Sequence, residues 1–180
     1  MKILQKTKYF TKMKIIIFDR DGVINIDHGY VHTIEKFDFN EGIFEIMQYL
    51  QEKGFKLYIA TGQSGIGRGY YNNEDFNKLN NHMLEEFKKK NIIIEGIFMC
   101  PHNPDDDCEC RKPKIGMVKH LFEQNNIDKE NSYSIGDKDS DTLLGKTLGI
   151  KTIRVKSRYD YNEKADFEIN KIIKIKSIIK

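Results

Sequence analysis

The sequence predicts an α/β fold in which helices cover both faces of a parallel β-sheet. Short apolar runs recur along the chain, and stretches whose apolar residues have helical spacing separate them. Chains in which strands and helices alternate in this way build a parallel sheet between two layers of helices. The chemically unusual residues directly follow the apolar runs, and ligands of such sheets bind at the carboxyl ends of the strands.

The first predicted strand, residues 15–18, consists of four apolar residues in a row and should be fully buried. Later strands are predicted within residues 55–60, 92–100, 132–136, 150–155 and the tail at 166–180. The first predicted helix places Ile43, Ile46, Met47 and Leu50 on one face and should end at Gly54. Further helices are predicted within residues 72–91, 116–124, 141–149 and the end of the tail, and residues 25–40 and 60–71 are interpreted as loops.

Length and composition are those of one ordinary globular domain. The 180 residues are 39% hydrophobic and 32% charged, which suffices for one core and is short for two. We therefore predict a single domain over residues 1–180, with residues 1–12 as an N-terminal extension. The chain has no apolar run of membrane-spanning length and no apolar segment of signal-peptide length at its start. We expect a cytoplasmic protein without a membrane partner.

Asp19 and Asp21 directly follow the first predicted strand. Acids two positions apart can lie on one side of an extended chain. Burial and like charge disfavour such a pair, so we expect a divalent cation beside it. One carboxylate can then bind Mg²⁺ and attack phosphorus, while the other passes a proton to the leaving oxygen. A surface turn with two solvated acids is the alternative interpretation.

A second acidic segment, "GDKDSD" at residues 136–141, follows the fourth predicted strand and includes Asp137 and Asp141. Asp137 supplies another hard oxygen ligand of the kind that Mg²⁺ prefers, and Lys138 adds a cation for a phosphate. Asp and Ser are also good helix caps, so Asp139 or Ser140 is expected to cap the next helix. Capping does not explain Asp137.

A glycine-rich segment, "ATGQSGIGRGYY" at residues 60–71, follows the second predicted strand. Thr61 comes directly after the strand, and a glycine-rich backbone can present N–H groups to a phosphate. Taken alone, such a segment is a weak signal, and a plain surface loop remains the alternative.

All three cysteines lie in the segment "CPHNPDDDCECRKPK", residues 100–114. Cys100, His102, Cys108 and Cys110 form the pattern Cys-x-His-x5-Cys-x-Cys, which suits a tetrahedral Zn²⁺. Four protein ligands leave no open position, so we predict a structural zinc rather than a catalytic one. Three reduced cysteines and an unrelated histidine are the alternative.

Arg111 and Lys112 come directly after the last predicted zinc ligand. A guanidinium and an ammonium held by a rigid loop suit a phosphoryl group. A solvated basic pair is the alternative interpretation.

Together these segments resemble the haloacid dehalogenase (HAD) superfamily of phosphotransferases. "DRDGVIN" is similar to its first motif, Thr61 to its second, Lys112 to its third and "GDKDSD" to its fourth. "DRDGVINIDHGYVH", "QSGIGRGYY" and "CPHNPDDDCECRKPKIGM" add a closer resemblance to the family of heptose-1,7-bisphosphate 7-phosphatases, which extends over residues 14–155.

The resemblance implies a three-layer Rossmann-like HAD fold without a large cap domain, in which a zinc-binding loop stands in for the cap. It also implies a Mg²⁺-dependent hydrolase that removes the C7 phosphate of D-glycero-D-manno-heptose 1,7-bisphosphate through an aspartyl-phosphate. The product would serve ADP- or GDP-heptose synthesis for lipopolysaccharide or surface polysaccharide. The implied partner is a small sugar bisphosphate, and the implied state is a monomer.

The resemblance also implies the role of each site residue. Asp19 is the nucleophile and Asp21 the acid/base, and Mg²⁺ is held by Asp19, Asp137 and the main-chain carbonyl of Asp21. Thr61 and Lys112 hold the transferring phosphate. The implied substrate-binding residues are Asp27, His28, Gly29, Tyr30, Thr61, Gly62, Gln63, Ser64, Arg111, Lys112 and Lys138. The family usually has Asn where this chain has Gly62, which leaves that side-chain contact in doubt.

Three alternatives were weighed. A histidinol-phosphate phosphatase carries a similar short zinc loop, but "GIGRGYY" and "DHGYVH" favour the heptose enzymes. A receiver-type signalling domain would carry its phosphoacceptor Asp after the third strand, where this chain has Cys100. A zinc-bearing nucleic-acid module needs a basic face, but the net charge is only +3, the lysines are scattered and the zinc loop is acidic. We therefore expect no nucleic-acid partner.

Overall fold

A computed structural model describes residues 12–180, and six of their segments form one parallel sheet. The strands are β1 (Ile15–Phe18), β2 (Lys56–Gly62), β3 (Ile94–Cys100), β4 (Tyr133–Gly136), β5 (Lys151–Val155) and β6 (Phe167–Ile169). Their order across the sheet is β3-β2-β1-β4-β5-β6, and every neighbouring pair is parallel. The predicted parallel sheet is confirmed.

Within residues 12–180, six helices connect and flank the strands. They are α1 (Ile43–Glu52), α2 (Ser64–Gly67), α3 (Asn73–Lys89), α4 (Lys119–Gln124), α5 (Asp139–Leu148) and α6 (Ile175–Ile178). Single 3-10 turns lie at Ile34–Lys36, Pro104–Asp106, Lys129–Asn131 and Ile172–Lys174. All of these helices except α2 were predicted.

The two faces of the sheet bury separate apolar clusters, which β1 shows most simply. Ile16 and Phe18 pack on one side with apolar residues of α1, α3 and α6. Ile15 and Ile17 pack on the other side with apolar residues of α4 and α5. Because adjacent strand residues point to opposite faces, an unbroken apolar strand requires cover on both faces. Helices on both faces are therefore confirmed.

Three local expectations were wrong. Residues 64–67 form α2 rather than a loop. Helix α4 begins at Lys119 rather than Gly116, because Gly116 N–H donates to Glu109 O at 3.0 Å and keeps that residue in the preceding loop. The N-cap of α5 is Lys138, not Asp139 or Ser140.

The order of the strands places two connections on opposite sides of β1, which creates a crevice at its carboxyl end. Phe18 pairs with Ile135 of β4, and Asp19 N–H donates to Ile135 O at 2.8 Å. The residues that follow β1 and β4 therefore lie side by side at this crevice.

Met13 forms an isolated β-bridge with Ile127. Its N–H donates to Asn126 O at 2.8 Å, and its carbonyl accepts the Asp128 N–H at 2.9 Å. The predicted N-terminal extension lies outside the described residues except for Lys12. Over residues 12–180, no connection is long enough to form a large cap domain, and no helix is long and apolar enough to span a membrane.

Candidate active site

A buried cation organises the acids at the end of β1. Asp19 is 7% exposed and lies on the wall of a cavity of about 400 Å³. Lys112 Nζ donates to Asp19 Oδ1 at 2.7 Å, to Asp141 Oδ1 at 2.5 Å and to Ala60 O at 2.8 Å. Burial alone lowers the pKa of the Lys112 ammonium, but the carboxylates of Asp141 and Asp19 raise it above its usual range. Lys112 is therefore a permanent cation that fixes the orientation of Asp19.

Asp137 is a fully buried carboxylate without a hydrogen bond. Neither of its oxygens has a hydrogen-bond partner among the described residues, and its nearest cation is Lys138 Nζ at 4.0 Å from Oδ1. Burial, followed by the charge of Asp19, raises the pKa of Asp137 to about 7. A buried, unpaired charge is costly, and a bound cation would remove that cost.

The acids of this cluster fit a magnesium ion. The carboxylate oxygens that Asp19, Asp137 and Asp141 can offer all lie within 4.8 Å of one another. An octahedral Mg²⁺ keeps its oxygen ligands about 3–4 Å apart. The Asp21 side chain is not in this group, and its predicted contact with Mg²⁺ through the main-chain carbonyl stays a prediction.

Gly22 explains why the acids can crowd so closely. Its φ is +97°, a conformation that other residues rarely adopt, and a Cβ at this position would lie 2.4 Å from Asp137 Oδ2. The glycine of "DRDG" therefore meets both a backbone requirement and a space requirement at the acid cluster.

The Asp21 carboxylate is held by three side chains. Arg20 Nη2, Asn25 Nδ2 and Gln63 Nε2 each approach one of its oxygens at 3.0 Å. Arg20 is buried and also donates to Val31 O at 2.7 Å. Asp21 lines the cavity, two residues from Asp19. This arrangement fits a positioned acid/base.

The carboxyl end of β2 and the residues after it form one wall of the cavity. Thr61 is buried behind this wall and is not among the residues that line the cavity; its Oγ1 accepts a hydrogen bond from Gln63 Nε2 at 2.7 Å. Burial raises the pKa of Tyr71 to about 12, so its hydroxyl stays protonated and donates to Gln63 Oε1 at 2.7 Å. Gly62 and Ser64 line the cavity, and a Cβ on Gly62 would meet nothing within 4 Å. The missing side chain at Gly62 therefore leaves open space.

A second wall is built around Asp27. Its Oδ2 accepts a hydrogen bond from Tyr159 Oη at 2.8 Å, and its Oδ1 accepts one from Gly29 N–H at 2.8 Å. Lys138 Nζ and an Nη of Arg158 lie 3.5 Å and 3.6 Å from Asp27 Oδ2. Burial acts to raise the pKa of Asp27, but these hydrogen bonds and cations lower it overall. Asp27 therefore stays ionised and organises the cations of this wall.

Tyr30 also lines the cavity and contacts the Tyr70 ring edge-on, with the ring centroids 4.9 Å apart. His28 is the one predicted substrate residue that turns outward. Its Nε2 lies 2.8 Å from Asp38 Oδ2 at the exposed surface, and it is not among the residues that line the cavity.

The predicted zinc ligands converge. Cys108 Sγ lies 3.5 Å from both Cys100 Sγ and Cys110 Sγ, and His102 Nδ1 lies 3.7 Å from Cys100 Sγ and 3.2 Å from Cys110 Sγ. A tetrahedral Zn²⁺ with usual bond lengths requires about 3.8 Å between sulfurs and about 3.6 Å between sulfur and nitrogen. No disulfide links the cysteines. The donor set and its spacing fit zinc.

Helix α2 packs directly against this zinc loop. Gly67 N–H donates to Pro101 O at 2.9 Å, and a Cβ at Gly67 would lie 2.8 Å from the same oxygen. Arg111 Nη1 donates to His102 O at 3.3 Å, and Arg111 lines the cavity. The loop therefore positions Arg111 and Lys112, as predicted from the sequence.

Sequence reasoning missed part of the cavity wall. Asp141 was placed at the correct edge but given no role, although it binds Lys112. Four further wall residues were not predicted as site residues: Tyr71, Ser140, Arg158 and Tyr159. Asp141 could have been found from its spacing, four residues after Asp137 on the first turn of a helix. Arg158 and Tyr159 follow β5 in a polar segment that carries no recognisable signal.

The chain matches a family model and several known proteins. Residues 14–177 match the family model described as polynucleotide kinase 3 phosphatase. The chain is 49% identical over 142 residues to the D-glycero-alpha-D-manno-heptose-1,7-bisphosphate 7-phosphatase of Campylobacter jejuni, covering 79% of this chain and 81% of that protein. It is 40% identical over 174 residues to the D-glycero-beta-D-manno-heptose-1,7-bisphosphate 7-phosphatase of Haemophilus ducreyi. That alignment covers 89% of this chain and 94% of the Haemophilus ducreyi protein.

A solved structure is similar over nearly the same extent. The D,D-heptose 1,7-bisphosphate phosphatase from B. bronchiseptica, complexed with magnesium and phosphate, superposes with a TM-score of 0.82. Its sequence identity is 25%, and the alignment covers 92% of this chain and 97% of that chain.

Proposed function

Because this chain belongs to the phosphatase family described as polynucleotide kinase 3 phosphatase and, within it, to the heptose-1,7-bisphosphate 7-phosphatases, we propose that it removes the C7 phosphate of D-glycero-D-manno-heptose 1,7-bisphosphate. The observation that supports this proposal most strongly is the arrangement of Asp19, Lys112 and Asp137. It combines an oriented nucleophile and a fixed cation on the cavity wall with a buried carboxylate whose oxygens have no hydrogen-bond partner among the described residues.

Asp19 is the proposed nucleophile. Lys112 binds its Oδ1 and leaves Oδ2 for attack on phosphorus. The new bond joins Asp19 to phosphorus, and the bond between phosphorus and the C7 oxygen of the sugar breaks. Water then hydrolyses the aspartyl-phosphate and releases inorganic phosphate.

Asp21 is the proposed acid/base. It donates a proton to the departing C7 oxygen and later accepts one from the water that attacks the aspartyl-phosphate. Arg20, Asn25 and Gln63 keep its carboxyl group in one orientation through both steps. Orientation matters here because proton transfer requires hydrogen-bond distance to the reacting oxygen.

Two metals are proposed. Asp19 and Asp137 would hold Mg²⁺, with Asp141 close by and the main-chain carbonyl of Asp21 as a further ligand. The ion would neutralise charge on the transferring phosphoryl group. Cys100, His102, Cys108 and Cys110 would hold a structural Zn²⁺.

Thr61 and the remaining wall residues are proposed to hold the substrate. Thr61 and Lys112 contact the transferring phosphate, with Arg111 and Lys138 beside it. Asp27, Gly29, Tyr30, Gly62, Gln63 and Ser64 contact the sugar. His28 is the weakest member of the predicted set because its ring pairs with Asp38 away from the cavity. A monomeric, cytoplasmic enzyme without a nucleic-acid partner remains our expectation.

The function is tested by measuring phosphate release in the presence of Mg²⁺. The substrates are both anomers of heptose 1,7-bisphosphate, histidinol phosphate and a 3′-phosphorylated oligonucleotide. We expect fast release from at least one heptose anomer, and the preferred anomer indicates the pathway. Faster release from histidinol phosphate or from the oligonucleotide would contradict the proposal.

A further inference from the structure

We propose that Arg158 binds the second phosphate of the substrate, the one that is not cleaved. Tyr159 and Asp27 hold the Arg158 guanidinium in place for this purpose. This inference rests on the proposed function, because it requires a substrate with two phosphates. It adds a subsite on the segment between β5 and β6, outside all the sequence motifs described above.

Four cations line the cavity wall: Arg111, Lys112, Lys138 and Arg158. The Lys112 ammonium has three N–H donors, and its contacts with Asp19, Asp141 and Ala60 use all of them. Lys112 therefore serves the reacting end of the cavity rather than a second phosphate.

Lys138 and Arg111 are also tied to parts of the site that already have a role. Lys138 Nζ lies 4.0 Å from Asp137 Oδ1, beside the acid cluster. Arg111 donates to the His102 carbonyl of the zinc loop.

Arg158 is different because its described partners, Tyr159 and Asp27, belong to neither the acid cluster nor the zinc loop. Among the described residues, its guanidinium makes one hydrogen bond, to Tyr159 Oη at 3.3 Å, and its side chain is 61% exposed. A guanidinium has five N–H donors in a planar fork that matches a phosphate in two parallel hydrogen bonds. Arg158 therefore has unused donors for an additional phosphate, as Arg111 does, but its described contacts are with Tyr159 and Asp27 rather than with the zinc loop.

The Arg158 guanidinium is also set apart from the acid cluster. Three contacts in a row lead from the acid cluster to Arg158. Lys138 Nζ lies 4.0 Å from Asp137 Oδ1 and 3.5 Å from Asp27 Oδ2. Asp27 Oδ2 in turn lies 3.6 Å from an Nη of Arg158. Two side chains therefore separate the acid cluster from the Arg158 guanidinium. A substrate that reaches from the acid cluster to Arg158 must therefore extend past Lys138 and Asp27.

Hydrogen bonds hold the segment that carries Arg158 in place. Ser157 Oγ donates to the main-chain carbonyl of Asp137 at 3.2 Å, and Tyr159 Oη donates to Asp27 at 2.8 Å. Farther along, Asn162 N–H donates to Asp139 Oδ2 at 2.8 Å. Because these contacts order the segment before the substrate arrives, binding loses little conformational entropy.

The local charge balance also suits an anion. Asp27 faces Lys138 and Arg158 together, so the three groups carry a net positive charge. The Tyr159 ring lies beneath both cations, with Lys138 Nζ 4.5 Å and Arg158 Cζ 5.3 Å from its centroid. A tyrosine face attracts cations and stabilises their position without neutralising them.

The test compares a bisphosphate with a monophosphate substrate. Kinetic constants are measured for wild type, Arg158→Ala and Arg158→Lys with the faster heptose 1,7-bisphosphate anomer and with p-nitrophenyl phosphate. Lys164→Ala is the matched control, because Lys164 is an exposed cation on the same segment that does not line the cavity.

For Arg158→Ala we expect KM for the bisphosphate to rise about 10- to 100-fold, since contacts to an unreactive group contribute mainly to binding. Its kcat should change less than about threefold, and its constants for p-nitrophenyl phosphate should stay within about twofold. Arg158→Lys should recover part of the loss, and Lys164→Ala should behave as wild type.

Equal losses on both substrates would overturn the proposal, since Arg158 would then act on the reacting phosphate or on folding. An unchanged KM for the bisphosphate would overturn it as well. Wild type that hydrolyses neither heptose anomer would instead overturn the proposed function. The subsite would then be judged by the same variants with fructose 1,6-bisphosphate in place of the heptose.

Discussion

Replacing Asp137 with Asn should stabilise the protein when Mg²⁺ is absent. The native carboxylate is fully buried, makes no hydrogen bond among the described residues and lies beside Asp19. An uncharged amide of the same size removes the buried negative charge. The prediction is unusual, because most substitutions of buried polar residues destabilise a protein.

The magnitude follows from the pKa of Asp137. Burial and Asp19 raise it to about 7, against an ordinary value of 3.8. That difference of about three pH units corresponds to roughly 4 kcal/mol lost from the free energy of unfolding. Because the native pKa is the higher one, the loss is complete above pH 7. It disappears as the pH falls toward 4 and the native carboxyl group takes up a proton.

Urea unfolding and thermal melting of protein dialysed into Mg²⁺-free buffer provide the assay. At pH 8, the Tm of Asp137→Asn should be up to about 10 °C higher than that of wild type. At pH 5, the difference between the two Tm values should be smaller. Saturating Mg²⁺ should raise the Tm of wild type at pH 8 and leave the variant nearly unchanged.

Asp139→Asn is the matched control. Burial acts to raise the pKa of Asp139, but hydrogen bonds from the Asn162 and Glu163 N–H groups and the charge of Arg154 lower it overall. This substitution should therefore lower stability at pH 8. The reasoning is refuted if Asp137→Asn is less stable than wild type in Mg²⁺-free buffer and its stability varies with pH as that of wild type does.

Three further predictions concern the nucleophile, the zinc loop and a glycine. Asp19→Asn should lower kcat by at least about 10³-fold, while its circular dichroism spectrum and its Tm stay near those of wild type. A kcat within about tenfold of the wild-type value would exclude Asp19 as the nucleophile. Cys108→Ser should reduce the zinc content measured by elemental analysis and lower the Tm by roughly 6–12 °C. His120→Ala, at an exposed histidine outside the zinc loop, should change neither. Full zinc retention in Cys108→Ser would contradict the assignment of Cys108 as a ligand. Gly22→Ala should lower the free energy of unfolding in urea by roughly 2–3 kcal/mol and weaken Mg²⁺ activation, because φ is +97° and the new Cβ meets Asp137. Gly29→Ala is the control, because φ is +78° there but a Cβ would meet nothing within 4 Å, and it should cost only about 1 kcal/mol. Equal losses for the two variants would contradict the steric explanation.

The fold and the centre of the site could be predicted because they depend on local signals. The apolar run at residues 15–18 identified a doubly covered strand, and amphipathic spacing identified α1 and α3. Asp19 and Asp137 could be expected to meet, because the carboxyl ends of parallel strands share one edge of the sheet. The zinc ligands lie close together in the sequence, so their convergence needed no knowledge of the tertiary fold.

Other features depend on contacts between distant segments and could not be predicted from local pattern. Helix α2 has a glycine-rich sequence typical of a loop, but it packs on the zinc loop through Gly67 and Pro101. The role of Asp141 depends on Lys112, which lies 29 residues earlier in the chain. The segment carrying Arg158 reaches the cavity through Asp27, from which Tyr159 is 132 residues distant.

The central claim is that Asp19 accepts the C7 phosphate of a heptose bisphosphate. It is tested most directly by mixing the enzyme with heptose 1,7-bisphosphate, quenching in acid within a single turnover, and analysing both products by mass spectrometry. We predict a phosphoryl group on the peptide that contains Asp19 and a sugar that keeps its C1 phosphate. A phosphoryl group on another residue, or a sugar that has lost its C1 phosphate instead, would contradict the account.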